Sequence, residues 1–473
     1  MRLFIIIISL LSILSLSAIA APAKGPLKAL ASNPRYFTDG SGKAIFLCGS
    51  TTWANMKDRA LTEPIPPFDY NGYLDFLSQH NHNFFRLFAW DLPHSWNNNV
   101  DMKQRYIAPF PWPRTGPGIA TDGKPCFDLS KFEQEYFDRM RTRVAAAGSR
   151  GIYVAVTLFG GFELQLAKSD SSDGFPYGKG NNINGIACGG DESQALTDTA
   201  VTRVQDAYVR KVVETLDDLD NVLYEISNES GPRSTEWQYH MIRLVKSIES
   251  KLPKQHPVGM TVQIMKGATN EPLFRSPADW IAPNSKAAPP YSYDWCPPPA
   301  DGSKVVINDT DHSYYWIQLM RDGPIAHRMW VWMNLVRGNN MLFMDPYLEE
   351  WGPRNNPKDG KPDQYWEVMR KNMGYARTYA DKMNLAAMVP HGELASTNLC
   401  LANPAKNNGE YLVYIPATGQ VKVNLSGSEG DMKVEWYNPL KAETMAGNTV
   451  KGGTEMEFIA PFSGDAVLYL KQN

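Results

Sequence analysis

The stretch Asn221-Val222-Leu223-Tyr224-Glu225-Ile226-Ser227-Asn228-Glu229-Ser230-Gly231 is an apolar run that stops abruptly on an amide and a carboxylate. Apolar residues without clean alternation read as a parallel strand covered on both faces. Its carboxyl end is the informative part. In a closed α/β barrel, side chains at strand ends face the open mouth where such enzymes keep their chemistry. A carboxyl group partly buried there has its pKa raised, which suits Glu229 to donating a proton. The neighbouring Asn228 can hold a substrate hydroxyl. If alternation is strict, Glu225 shares the face of Glu229 but lies deeper, and a structural role is expected for it.

Working outward, seven further runs of the same kind cover residues 44–49, 83–89, 151–159, 257–262, 279–282, 304–307 and 339–344. The run 221–227 is therefore the fourth of eight, and 279–282 is the weakest. Amphipathic stretches lie between them at 68–79, 129–147 (with Ser130 as the expected cap), 194–216, 235–252, 315–335 and 363–383. Eight strand–helix units predict an α/β fold, a (β/α)8 TIM barrel. An open doubly wound sheet would want a glycine-rich phosphate turn after its first strand. Gly49-Ser50-Thr51-Thr52-Trp53 does not supply one. Long connections at 91–128 and 160–193 extend the expected rim. Tyr291, Tyr293, Asp294 and Trp295 lie in a proline-rich loop that either walls a cleft or lies on the surface.

Beyond residue 383 the pattern changes. Segments 411–415, 421–425, 433–437, 455–459 and 466–470 alternate apolar and polar residues between short Gly, Asn, Ser and Pro breaks. That predicts a small antiparallel β-sandwich. It either binds glycan or packs on the barrel, and packing is expected. The domain reading is 1–20 a signal peptide, 21–385 the barrel and 386–473 the sandwich.

Arg2, an apolar run to Leu16 and Ser17-Ala18-Ile19-Ala20 form a secretory leader with cleavage expected after Ala20. A secreted or periplasmic protein follows, with no membrane contact after cleavage. Lys and Arg number 47 against 50 Asp and Glu. That balance leaves no basic excess for a nucleic-acid backbone. Cys48, Cys126, Cys188, Cys296 and Cys400 are an odd number without zinc-site spacing, so at least one thiol stays free. Cys48 reads as a buried small hydrophobe, while Cys126 and Cys188 sit in polar loops that would allow pairing.

Glycoside cleavage by two carboxyl groups needs a second acid opposite Glu229. The seventh run ends in Asn308-Asp309-Thr310-Asp311-His312, where Asp309 and Asp311 are two apart and can point the same way. Asp311 is slightly preferred as nucleophile or base, with Asp309 orienting it. His312 can tune an acid or hold a hydroxyl. Arg86 is a charge inside the second apolar run and needs an anionic partner, for which the seventh-strand acid is the candidate. Trp53 and Trp90 follow strands one and two, and their rings can pack on sugar C–H faces. Trp316, Trp330 and Trp332 are expected in the core. Asp345 ends the eighth strand within reach of a sugar hydroxyl. No cofactor is called for.

These motifs resemble the glycoside hydrolase clan A barrels and, within them, the apiosidase-like glycosidases of family 140. Those carry a D-G-x-x-x-x-x-G-x-T-x-W stretch, a barrel and a small tail called the "putative collagen-binding domain". Here the first corresponds to Asp39-Gly40 and Phe46-Leu47-Cys48-Gly49-Ser50-Thr51-Thr52-Trp53, the second is marked by Asn228-Glu229, and the tail carries Glu435-Trp436-Tyr437-Asn438-Pro439. The resemblance implies a proton-donating Glu229 and a carbohydrate substrate. One departure stands out. Such relatives usually carry Asp-Ser-Glu on strand seven, where this chain has Asp309-Thr310-Asp311. A side chain one methylene shorter widens the gap from roughly 5–5.5 Å, typical of retaining enzymes, toward the roughly 6.5–9.5 Å of inverting ones, or signals lost catalysis. Two other readings therefore stay open. One is a glycan-binding or adhesion protein that keeps the barrel. The other is a metal-dependent hydrolase using Asp309, Asp311 and His312.

Overall fold

The computed structural model describes residues 21–472 except 97–103, 167–173, 286–290, 292, 294–295, 313–318, 320, 350–355 and 418. The leader, Asp294, Trp295 and Trp316 lie outside the described residues.

Eight parallel strands form one sheet: β1 Cys48–Thr51, β2 Phe84–Leu87, β3 Tyr153–Gly160, β4 Val222–Asn228, β5 Val258–Thr261, β6 Trp280–Ala282, β7 Val305–Asp309 and β8 Asn340–Met344. Neighbours follow in chain order from β2 to β8, and β8 pairs with β1. Strands β1 and β2 close the ring by another device. The Asn83 N–H donates to Cys48 O at 3.0 Å, and the Asn83 side chain accepts from the Cys48 N–H at 3.0 Å. Gly49 permits that approach, because a Cβ there would stand 1.9 Å from Phe84 O.

The strands read as continuous apolar runs because each has two buried faces. On β3, Val154, Val156 and Leu158 join the outer layer against α2 Gln134–Gly148, while Tyr153 and Ala155 point inside the ring. The inner layer also holds Leu223, Val305, Ile307 and Leu342. Each fully buried side chain of this kind contributes about 1.5–3 kcal/mol. Continuing the same alternation toward the mouth, the inner face becomes charged. Arg86 follows Phe84, Glu225 follows Leu223, and Asp309 follows Val305 and Ile307.

Helix boundaries depart from the sequence reading where caps decide them. Helix α1 (Tyr70–Gln79) starts after Asp69, whose carboxylate accepts from the Gly72 N–H at 2.9 Å. Ser130 does not cap α2; its hydroxyl donates to Asp128, and the helix begins four residues later, at Gln134. A short helix α3 (Phe162–Leu166) follows β3, and α4 (Thr199–Leu216) is capped by Asp198. Then come α5 (Thr235–Glu249), α6 (Glu271–Arg275), α7 (Pro324–Val336) and α8 (Glu367–Lys382).

The tail begins its first strand at Val389. It contains β9 Val389–Pro390, β10 Cys400–Asn403, β11 Glu410–Ile415, β12 Gln420–Asn424, β13 Asp431–Asn438, β14 Glu443–Ala446, β15 Val450–Lys451, β16 Glu455–Ile459 and β17 Ala466–Gln472. All of their pairings are antiparallel. The large sheet runs β9-β10-β11-β17-β13-β14, and β12 pairs with β16 as a second layer. Alternation assigns the two faces. Leu412, Tyr414, Val467 and Tyr469 pack with Trp330, Trp332, Met373 and Tyr379 of α7 and α8. Tyr411, Val413, Leu468 and Leu470 pack with Val421, Val423 and Phe458 of the second layer. The tail packs on the barrel, as expected, and Trp330 and Trp332 are core residues. A buried ion pair, Arg328 with Asp465 at 2.9 Å, crosses that seam.

All five cysteines are free, so Cys126 and Cys188 do not pair. Their thiols donate instead to the carbonyls of Gly180 and Gly189. Cys48 is fully buried. No helix among the described residues is long and apolar enough to cross a membrane.

Candidate active site

Arg86 organises the floor of the mouth. Its guanidinium grips Glu225 through Nε at 2.7 Å and through Nη2, reaches Asn228 Oδ1 at 2.6 Å, and donates from Nη1 to Asp309 Oδ2 at 3.1 Å. The expected partner on strand seven is present, but the bidentate partner is Glu225. That fits the deeper, structural place expected of Glu225, which is 0% exposed. The guanidinium is 2% exposed and engaged by these partners, so Arg86 sits beneath the mouth. Asn228 likewise spends its carbonyl oxygen on Arg86.

Glu229 follows β4 immediately and takes the left-handed backbone region, with φ 52°. Non-glycine residues rarely do this, and such strain collects at functional sites. The turn is held by Ser230, whose hydroxyl donates to Ser227 Oγ at 2.6 Å and whose carbonyl accepts from the Ile264 N–H at 3.0 Å. The Glu229 carboxyl is buried. Burial, then the charge of Asp311, push its pKa well above the ordinary range; Arg86 opposes, and Asp309 and Glu163 add to the rise. These surroundings favour its protonated form, the state a proton donor needs.

Asp309 is 1% exposed and has both oxygens occupied, one by Arg86 and the other by the Asp311 N–H at 2.9 Å. Burial raises its pKa to about 7 against the pull of Arg86. Asp311 is only half-buried and stands closer to solvent. His312 is buried with Nε2 3.8 Å from Glu229 Oε1, and neither ring nitrogen has a hydrogen-bond partner. Burial and Arg86 push its pKa far down, so the ring facing Glu229 is neutral.

Other expected contacts are placed differently. Trp53 and Trp90 are 7% and 6% exposed and lie in the inner apolar layer. The Trp90 indole N–H donates to Trp53 O at 2.8 Å, and its ring packs against Arg59 and Phe88. Neither ring offers an open platform. Asp345 is wholly buried in a two-point pair with Arg370 at 2.7 and 2.8 Å, so it is structural. Tyr291 and Tyr293 pack against the barrel rather than lying loose on the surface: Tyr291 is buried with its hydroxyl on Asn339, and Tyr293 hydrogen-bonds Asn308. Among the described residues no three His, Cys, Asp or Glu side chains gather as a metal site.

One cluster escaped the sequence reading. Lys57, after β1, donates to Trp90 O. Glu163, on α3, accepts from the Asp91 N–H at 2.8 Å. Gly160-Gly161 at the end of β3 was its available signal.

The sequence model described as "Apiosidase-like, catalytic domain" matches residues 31–282. That span is more than half the chain and includes Arg86, Glu163 and Glu229, but it stops short of strand seven. The model "Putative collagen-binding domain of a collagenase" matches residues 388–471. No curated protein matches the sequence. Among solved structures, a glycoside hydrolase family 5 protein from Bacteroides vulgatus ATCC 8482 superposes with TM-score 0.62 at 14% identity, covering 94% of this chain and 93% of its own. Another, described as a glycoside hydrolase, gives TM-score 0.58 at 14% identity over 95% and 97% of the two chains. At that identity the likenesses speak for the fold. The family match carries the assignment: the chain belongs to the apiosidase-like catalytic family, a glycosidase on a (β/α)8 barrel.

Proposed function

We propose that this is an exported glycosidase that cleaves O-glycosidic bonds in a plant or microbial oligo- or polysaccharide by a two-carboxylate mechanism. The observation that carries the reading is Glu229, buried on a left-handed turn at the mouth, with His312 3.8 Å away and the strand-seven acids in its electrostatic reach. Glu229 gives its proton to the glycosidic oxygen as the C–O bond breaks. Asp311, the more accessible strand-seven acid, attacks the anomeric carbon or takes a proton from the attacking water. Asp309, fixed by Arg86, accepts the Asp311 N–H and so orients it. His312, buried with Nε2 3.8 Å from Glu229, completes the wall beside the acid. Export rests on the leader at residues 1–20.

The test is hydrolysis of an aryl-glycoside and polysaccharide panel by the wild type and by Glu229→Gln and Asp311→Asn. Each variant is expected to lose about 10²–10⁴-fold in kcat/KM while remaining folded. Near-full activity in either removes that residue from the mechanism. Aspartate in place of the usual strand-seven glutamate favours one other reading, a glycan-binding protein. Saturable glycan binding without product by the wild type would establish it.

A further inference from the structure

The Lys57–Asp91–Glu163 cluster lies outside the two-carboxylate pair, yet it is built against the turn that carries Glu229. Two glycines make this possible. A Cβ on Gly160 would stand 2.2 Å from Glu163 Oε1, and a Cβ on Gly161 would stand 2.6 Å from Asn228 O and Ser230 N. The backbone that begins α3 therefore touches the peptide units on both sides of Glu229. Glu163 is 4% exposed; its Oε1 accepts the Asp91 N–H, while its Oε2 is buried without a partner. Asp91 in turn accepts from the Gly160 N–H. Lys57 is 3% exposed and anchored on Trp90 O, with its ammonium 3.9 Å from the centre of the Phe110 ring. Three strand ends are thus tied together around a carboxyl pair and one ammonium. A packing residue would not need a charge here, and a buried carboxylate oxygen without a donor is costly.

We propose that Glu163, clamped to Asp91 and backed by Lys57, is a positioning residue for Glu229: it fixes the turn that carries the acid and sets the charge the acid meets from the β3 side. The inference rests on the reading of Glu229 as the proton donor. Glu229 faces Glu163 from α3, Arg86 from β2, and Asp309, Asp311 and His312 from the end of β7. Burial raises the pKa of Glu163 and Asp91 lies beside it, while the Asp91 N–H, Lys57 and Arg59 pull the other way and favour its carboxylate. An anion on the β3 side favours the neutral form of Glu229, so removing it releases the acid's proton at lower pH.

The experiment follows the carbonyl band of protonated Glu229 by infrared difference spectroscopy across pH, each protein being subtracted from its own Glu229→Gln counterpart. In Glu163→Gln, which keeps size and an acceptor but loses charge, the band is expected to vanish roughly 0.5 pH unit or more below the wild-type value. The alkaline limb of kcat/KM should move down with it, while KM stays within about twofold. Glu163→Asp, which keeps the charge, should restore the wild-type titration. Gly161→Ala, which pushes α3 off the turn and alters no charge, should shift the band in the same direction as Glu163→Gln. An unshifted band in Glu163→Gln overturns the proposal; should that variant not fold, an unshifted band in Gly161→Ala does so. A band shift in a protein that hydrolyses no glycoside defeats the hydrolase reading and leaves this inference standing. Hydrolysis with an unshifted band does the reverse.

Discussion

The ends of β4 and β7 both place a carboxyl group in the same mouth, and the protein treats the two oppositely. Asp309 at β7 meets a guanidinium and a backbone N–H, so both its oxygens have donors. Glu229 beyond β4 meets a neutral imidazole and the charges of Asp311, Asp309 and Glu163. Burial is common to both and raises both pKa values, and Arg86 opposes both rises; of the two, Asp309 is the one it hydrogen-bonds directly. Arg86 limits the rise at Asp309 to about 7, while at Glu229 its opposing pull leaves the pKa still well above the ordinary carboxyl range. Surroundings that separate two carboxyl pKa values also separate the roles of acid and base. The lesson is that one buried arginine, placed nearer one strand end than the other, can create that asymmetry.

Removing the arginine should break the comparison most severely. Arg86→Leu leaves Glu225 and Asp309 buried without their cation, and a loss of about 3–5 kcal/mol in unfolding free energy is expected by denaturant titration. A variant as stable as the wild type would show that the three-way pair does not organise the floor. Asp309→Asn tests the strand-seven side alone. It keeps an acceptor for the Asp311 N–H but cancels a charge, and a drop of about 10-fold in kcat/KM is expected, equivalent to ~1.4 kcal/mol. The pH dependence adds a sign. Asp309 assists as a carboxylate, so wild-type kcat/KM should rise as pH increases through about 7. That step should be missing from the asparagine variant, and its persistence would assign the step to another group.

The smallest expected effect is a gain. The folded-state pKa of Glu229 lies above its unfolded value, so the folded protein binds the extra proton between the two. Ionising the group therefore costs stability progressively as pH rises from the unfolded pKa toward the folded one. Glu229→Gln removes that cost. Its stability advantage should be absent at about pH 4 and grow to about 1 kcal/mol at higher pH, read as Tm against pH. An advantage independent of pH would mean that packing, not ionisation, is responsible.

Much of this was legible in the residues because burial on two faces leaves a strong mark. Eight apolar runs correspond to eight strands, and a lone Arg86 inside one of them announced an anion nearby. Asn228-Glu229 was legible because it interrupts an apolar run at its end. What stayed hidden depends on pairings distant in sequence. Asp345 looks like a mouth residue until Arg370 on α8 claims both its oxygens. Trp53 and Trp90 follow the correct strands, but the chain folds their rings inward. Ser130 has the right chemistry for a cap, yet Asp128 takes its hydroxyl and the helix starts later. Lys57 and Glu163 look like ordinary surface charges, and only the glycine pair after β3 hints that a backbone passes close by.

The seam between barrel and tail bears on how such a protein can evolve and be cut. The tail's large sheet has helices on one side and a two-stranded layer on the other, so among the described residues its central strands are covered on both faces, and β14 is the exposed one. Recognition added there must work at its rims or on its outer layer. A chain ending before Val389 would leave the aromatic side of α7 and α8 wet and Arg328 without Asp465. Such a fragment is expected to be a sticky half-protein, so the two parts should pass through evolution as one inherited block.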